Sequence, residues 1–66
     1  MMPQEKIINF LRENPGSRMR TIRSFTHVMD TITYLYELEK EGLIYCVAVH
    51  DTANMEFYNK WYVKEV

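Results

Sequence analysis

Little in this sequence permits covalent bracing, membrane insertion or phosphate-loop chemistry. There is one cysteine, Cys46, so no internal disulfide can form. Only two glycines and two prolines occur, which leaves no glycine-rich phosphate loop and no flexible linker. No apolar run approaches the ~18 residues of a membrane span. The N-terminus lacks the basic-then-apolar layout of a signal peptide, and the cytoplasm is the expected location. Neither sign of charge dominates: the net charge is −1, which argues against bulk binding to a polyanion. At 47% hydrophobic and 26% charged the composition is globular rather than disordered. The 66 residues make one domain, spanning 1–66. A chain of that size buries only ~60% of its unfolded surface, so its stability depends on good packing or on a partner copy.

What charge there is lies unevenly. Residues 1–23 carry Lys6, Arg12, Arg18, Arg20 and Arg23 against Glu5 and Glu13, an excess of +3. The remainder carries Lys40, Lys60 and Lys64 against Asp30, Glu37, Glu39, Glu41, Asp51, Glu56 and Glu65, an excess of −4.

The central stretch is Asp30 to Tyr45. Val28, Ile32, Leu35 and Leu38 recur at spacings of three and four, which predicts one apolar helical face. Thr26 or Asp30 is the N-cap. Gly42 is the stop signal, with Leu43 and Leu38 placed as the C″ and C3 residues of a Schellman ending. Before this helix, Pro3 to Glu13 reads as a first helix with Ile7, Ile8, Phe10 and Leu11 inward, ended by Asn14-Pro15-Gly16. Ser17 to Phe25 reads as a short second helix, or as a strand residue or two followed by one. Met19, Ile22 and Phe25 are expected to face inward and Arg18, Arg20 and Arg23 outward. After Gly42, Leu43 to His50 is β-branched and aromatic, Asp51-Thr52-Ala53-Asn54 is turn-forming, and Met55 to Val63 alternates with period two. A four-residue turn there pairs His50 with Met55, Ala48 with Phe57, Cys46 with Asn59 and Ile44 with Trp61, all on the face toward the helices. Tyr45, Val47, Val49 and Tyr58 fall on the other face, where Tyr45 and Tyr58 are positioned to pair.

Helix, short helix, longer helix and hairpin, in that order, resemble a winged helix-turn-helix domain, an α+β fold. The phrase Tyr34-Leu35-Tyr36-Glu37-Leu38-Glu39-Lys40-Glu41-Gly42-Leu43-Ile44 resembles the end of the recognition helix and the start of the wing in bacterial winged-helix transcription regulators. Tyr36 and Trp61 fall where the winged helices that bind Z-form nucleic acid carry a Tyr and a Trp. The Asn and Lys of that family's helix are here Ile32 and Val28, and no assignment follows.

The resemblance implies that the start of the third helix enters a DNA major groove while the second helix and the wing touch phosphates. By position, the groove-facing candidates are His27, Met29, Asp30, Thr33, Tyr34 and Glu37. Arg, Lys, Asn and Gln make the commonest base contacts, and none lies between Thr26 and Glu39. The phosphate-side candidates are Arg18, Arg20, Arg23 and His27, with Asn54 and Lys60 on the wing. Against this stands the ordinary reading of three arginines as a solvated face.

A reading of another class competes with it: a winged helix for protein–protein contact, without DNA-binding activity, using Tyr45, Val47, Val49 and Tyr58. Tyrosine is enriched at interfaces, and Tyr34, Tyr45, Tyr58 and Tyr62 are all expected to project away from the core. A C2 homodimer is one such use. Catalysis is not expected. Cys46 sits mid-strand as a small hydrophobe, and no nucleophile–base set can be assembled. His50, Asp51 and Glu56 around the wing turn are the one cluster of metal-ligand types, and a solvated turn is the simpler account. No metal and no cofactor is expected.

Overall fold

The structure, a computed structural model, describes residues 2–64. The elements are α1 (Pro3–Glu13), β1 (Ser17–Arg18), α2 (Met19–Thr26), α3 (Thr31–Lys40), β2 (Ile44–Asp51) and β3 (Glu56–Val63). Three helices and an antiparallel hairpin make a winged helix. Its sheet has a third strand, in the order β1-β3-β2, because Ser17 and Arg18 pair with Trp61 and Lys60.

The core is Ile7 and Leu11 of α1, Ile22 of α2, Val28 of the connecting turn, Leu35 and Leu38 of α3, Ile44 of β2 and Trp61 of β3. Each helix contributes a pair or single residue at helical spacing, and the hairpin closes the layer from one side. Truncating any of the buried leucines or isoleucines to alanine is expected to cost ~2–5 kcal/mol.

The phase of two helices differs from the expectation set by spacing. Phe25, expected inward, is 70% exposed and stacks on Phe10 with ring centroids 5.7 Å apart. The inward residues of α2 are Ile22 and Thr26, four apart, with Met19 at the margin. In α3 the buried stripe is Thr31, Leu35 and Leu38. Ile32 is 38% exposed, and Val28 is buried from the turn rather than from the helix. The cause is the helix start: Asp30 is the N-cap, so Thr31 opens the helix and takes the inward phase. Tyr34, expected to project away from the core, is half-buried and packs on it.

The ends of the elements follow local chemistry. Gly42 has φ 79°, its amide donates to Glu39 O at 3.0 Å and the Leu43 amide donates to Leu38 O at 3.0 Å. Those are the two bonds of a Schellman ending. Gly16, at φ 83°, turns the chain from α1 into β1 and donates its amide to Trp61 O at 2.9 Å. A Cβ there would meet the Tyr62 hydroxyl at 3.2 Å.

The hairpin register is two residues off the expected one. Ile44 pairs with Val63, Cys46 with Trp61, Ala48 with Asn59, His50 with Phe57 and Asp51 with Glu56. The turn is therefore Thr52 to Met55. Asp51 ends the strand and caps that turn: its carboxylate accepts from the amides of Ala53 (3.1 Å) and Asn54 (3.2 Å) and from Asn54 Nδ2 (2.9 Å). Because the slip is an even number, every side chain keeps its expected face. Tyr45 accordingly stacks on Tyr62, at 5.2 Å, and Tyr58 sits opposite Val49 rather than near Tyr45. The far half of the hairpin leaves the helices behind, so Ala48, His50 and Phe57 are exposed although they share a face with Ile44 and Trp61.

Candidate nucleic-acid interface

The turn between α2 and α3 is fastened by two buried threonines. Thr26 donates its hydroxyl to Ile22 O at 2.6 Å and accepts from the Val28 amide at 3.4 Å. Thr31 donates its hydroxyl to Val28 O at 2.6 Å. Both polar groups of Val28, a buried residue, are thus met by threonine side chains. His27 closes α2 in the left-handed region, at φ 59°, with its amide on Arg23 O at 2.9 Å. Histidine is one of the few non-glycine residues found there with any frequency.

That fixed turn brings Arg20, Arg23 and His27 to one open hollow of about 620 Å³, lined also by Met19, Ser24, Val28 and Met29. A second hollow, of about 270 Å³, lies between α2, α3 and the wing and is lined by Arg18, Met19, Arg20, Ile32, Phe57, Tyr58, Asn59 and Trp61. The two share Met19 and Arg20. No carboxylate lines either one. Among the described residues neither Arg20 nor Arg23 forms an ion pair, so both guanidinium groups are available to an anion.

The other sequence-derived candidates are dispersed. Arg18 belongs to β1, not to α2, and is turned onto the wing: its guanidinium lies 3.6 Å from Glu56 Oε2 and 4.0 Å from the centre of the Tyr58 ring. Thr33 is exposed on α3, with Asp30 and Glu37 also exposed, and Tyr34 lies at the flank of the same helical face, half-buried against the core. Asn54 lies at the tip of the wing with its amide engaged by Asp51. Lys60 is on β3 opposite Val47 and Arg18, on the sheet face away from the helices. Tyr45, Val47, Val49 and Tyr58 do share that outer face, with Tyr45 and Val47 exposed and Val49 and Tyr58 half-buried. Met19, Ile32 and Phe57, which line the second hollow, were not legible as site residues, because their apolar character signals core.

Two groups titrate away from their ordinary values. Burial pushes the Cys46 thiol up, helped by its hydrogen bond to Glu39 Oε2 at 3.4 Å and by the charge of that carboxylate. The bonds from Asn54, chiefly its side-chain amide, hold the Asp51 carboxyl down, with further help from the Ala53 amide and the Arg18 charge. Neither group lines the two hollows. His50 points to the opposite sheet face from Asp51 and Glu56, and no group of three potential metal ligands occurs among the described residues. No helix is long and apolar enough to cross a membrane among those residues.

No protein-family model matches the sequence, and no curated protein matches it. Among solved structures, the chain is similar to Stf76 from the Sulfolobus islandicus plasmid-virus pSSVx, with a TM-score of 0.84 and 18% identity, over 100% of this chain and 86% of that one. That neighbour comes from an archaeal element, not a bacterium, and at such identity the likeness is one of fold alone.

Proposed function

We propose that the protein is a small DNA-binding regulator that holds duplex DNA with α2 and presents α3 to the major groove. The observation that carries this reading is the pair of adjoining hollows at the α2–α3 turn, lined by three arginines and by no carboxylate in a chain whose net charge is −1. Arg20 and Arg23 contact phosphates, with His27 beside them, and Thr33 lies on the exposed side of α3 that follows. Arg18 serves the wing instead. The resemblance of the Tyr34–Ile44 phrase to bacterial regulators, together with a fold shared with a plasmid-virus protein, supports a regulator of a prokaryotic or mobile genome, acting in the cytoplasm.

Fluorescence anisotropy with mixed-sequence duplex DNA, titrated with salt, tests the reading. Affinity is expected to fall steeply with salt, with a logarithmic slope of about 0.9 per phosphate neutralised. Replacing Arg20 and Arg23 with alanine is expected to lower that slope by about 1.8 and leave the circular dichroism spectrum unchanged. Absence of binding at low salt overturns the proposal.

A second reading has its own observation. Tyr45 and Val47 remain 44% and 46% exposed on the outer sheet face, beside Val49 and Tyr58. That face offers a contact surface to a protein partner or to a second copy in a C2 dimer. Val47→Glu is expected to break such a complex, read as a change in mass by light scattering, and to leave DNA affinity intact. An unchanged mass removes this second reading.

A further inference from the structure

The outward surface of α3 has few means of recognising guanine. In the major groove guanine presents only the acceptors O6 and N7, which proteins meet with Arg or Lys. No Arg, Lys, Asn or Gln occurs between Thr26 and Glu39. What the start of α3 shows instead is apolar. Met29 is 77% exposed and Ile32 38%, and Tyr36, a helical turn beyond Ile32, is 56% exposed. Thr33 adds a methyl and a hydroxyl between them. The remaining polar groups on this stretch are the acceptors Asp30 and Glu37, the His27 ring and the hydroxyls of Tyr34 and Tyr36, with none of the forked donors of Arg, Asn or Gln.

The apolar side chains have their counterpart on one base pair, while the carboxylate acceptors suit the donors of adenine and cytosine alike. Thymine places its C5-methyl in the major groove, and its partner adenine places an N6 donor there. The apolar strip is also bordered as a groove is bordered. Ile32 shares its hollow with Arg18 and Arg20, Met29 shares its own with Arg20 and Arg23, and no carboxylate lines either hollow. A strip of apolar side chains beside cations complements a floor of methyl groups beside a row of phosphates.

We propose that this surface reads thymine methyl groups in the major groove of A·T-rich duplex DNA, with Met29 and Ile32 making the methyl contacts while Arg20 and Arg23 hold the adjacent backbone. The inference rests on the DNA-binding reading above and adds the class of sequence bound.

The test uses the whole protein and four duplexes of one length at one salt concentration. One is A·T-rich and the second is the same duplex with deoxyuridine for every thymine, which deletes only the methyl groups. The third is G·C-rich and the fourth is the third with 5-methylcytosine, which restores a methyl at the same groove position. Deleting one buried methyl group is expected to weaken binding about fourfold, so deleting the two that Met29 and Ile32 cover gives about fifteenfold between the first and second duplexes. The fourth duplex is expected to bind more tightly than the third. Ile32→Ser and Met29→Ser are expected to bring the thymine-to-uracil ratio toward one without altering the salt slope. Arg20→Ala is expected to weaken every duplex alike and to keep the ratio. Equal binding of the thymine and uracil duplexes by the unaltered protein overturns the inference and leaves DNA binding standing. Binding to none of the four at low salt overturns both.

Discussion

Replacing Thr31 with valine isolates the fastening of the helix–turn–helix. Thr31 is 1% exposed and Val28 6%, and the hydroxyl-to-carbonyl distance between them is 2.6 Å. Valine keeps the branch at Cβ and nearly the volume, so this buried position stays filled and the donor is lost. The loss has two parts: the net value of one hydrogen bond and the desolvation of the Val28 oxygen left without a partner. The second part, the unmet buried oxygen, sets the size of the loss at about 1–3 kcal/mol. In a domain of this size each kcal/mol moves the melting temperature by about 4–8 °C, so a fall of about 4–24 °C is expected. Urea unfolding followed by circular dichroism, at fixed protein concentration, measures it, and the denaturant slope is expected to stay constant. Thr33→Val, on the exposed side of the same helix, is the control and is expected to stay within about 0.5 kcal/mol of the parent. A Thr31→Val protein as stable as that control would refute the claim that the hydroxyl holds the turn.

Two further outcomes follow from local geometry. Gly42→Ala puts a Cβ at φ 79°, where nothing lies within 4 Å of it, so the cost is backbone strain alone and is expected to be about 1 kcal/mol by the same unfolding assay. Alkylation of Cys46 is expected to reach half its maximal rate at a pH above the ordinary thiol range. Glu39→Gln, which keeps an acceptor but removes the charge, is expected to move that midpoint down without returning it to the ordinary range, because burial is the larger cause.

The features that the sequence disclosed are those set by near neighbours. The Gly42 ending depends on residues 38–43 alone, and both of its hydrogen bonds form where the spacing of Leu38, Gly42 and Leu43 puts them. The faces of the hairpin strands were legible because alternation needs no register. The register itself was not, since it turns on whether Asp51 belongs to the turn or caps it, and the side-chain bonds to Ala53 and Asn54 decide for capping. Phe25 and Ile32 show the same limit in helices: spacing gives the period, while the phase depends on where the helix starts and on whether a small polar residue such as Thr31 takes the inward position. The candidate site divided for a related reason. Arg18, Arg20 and Arg23 look alike in the sequence, but only Arg18 meets Glu56 and Tyr58, contacts that the pairing of β1 with β3 creates.

That division bears on why a chain of net charge −1 presents a cationic surface at all. Charges farther apart than about 8 Å are largely screened at physiological salt, so the local balance governs contact with phosphate. Here the local balance is set by placement, since no carboxylate lines either hollow: Asp51 caps its turn, Glu39 meets the Cys46 thiol and Glu56 pairs with Arg18. Of these, Glu56 is the one in an ion pair with an arginine that also lines the second hollow. Glu56→Gln should release Arg18 from the carboxylate while leaving the Tyr58 ring beneath it. The ion pair is partly exposed, so its loss is expected to cost at most about 1 kcal/mol of stability. DNA binding is expected to move the other way, because Arg18 then joins Arg20 at the same hollow. Affinity should rise, and the logarithmic salt slope should steepen by about 0.9, the value of one added phosphate contact. Tighter binding with an unchanged slope would mean that removing a negative charge had merely reduced repulsion. An unchanged affinity and slope would mean that the aromatic ring, not the carboxylate, keeps Arg18 on the wing.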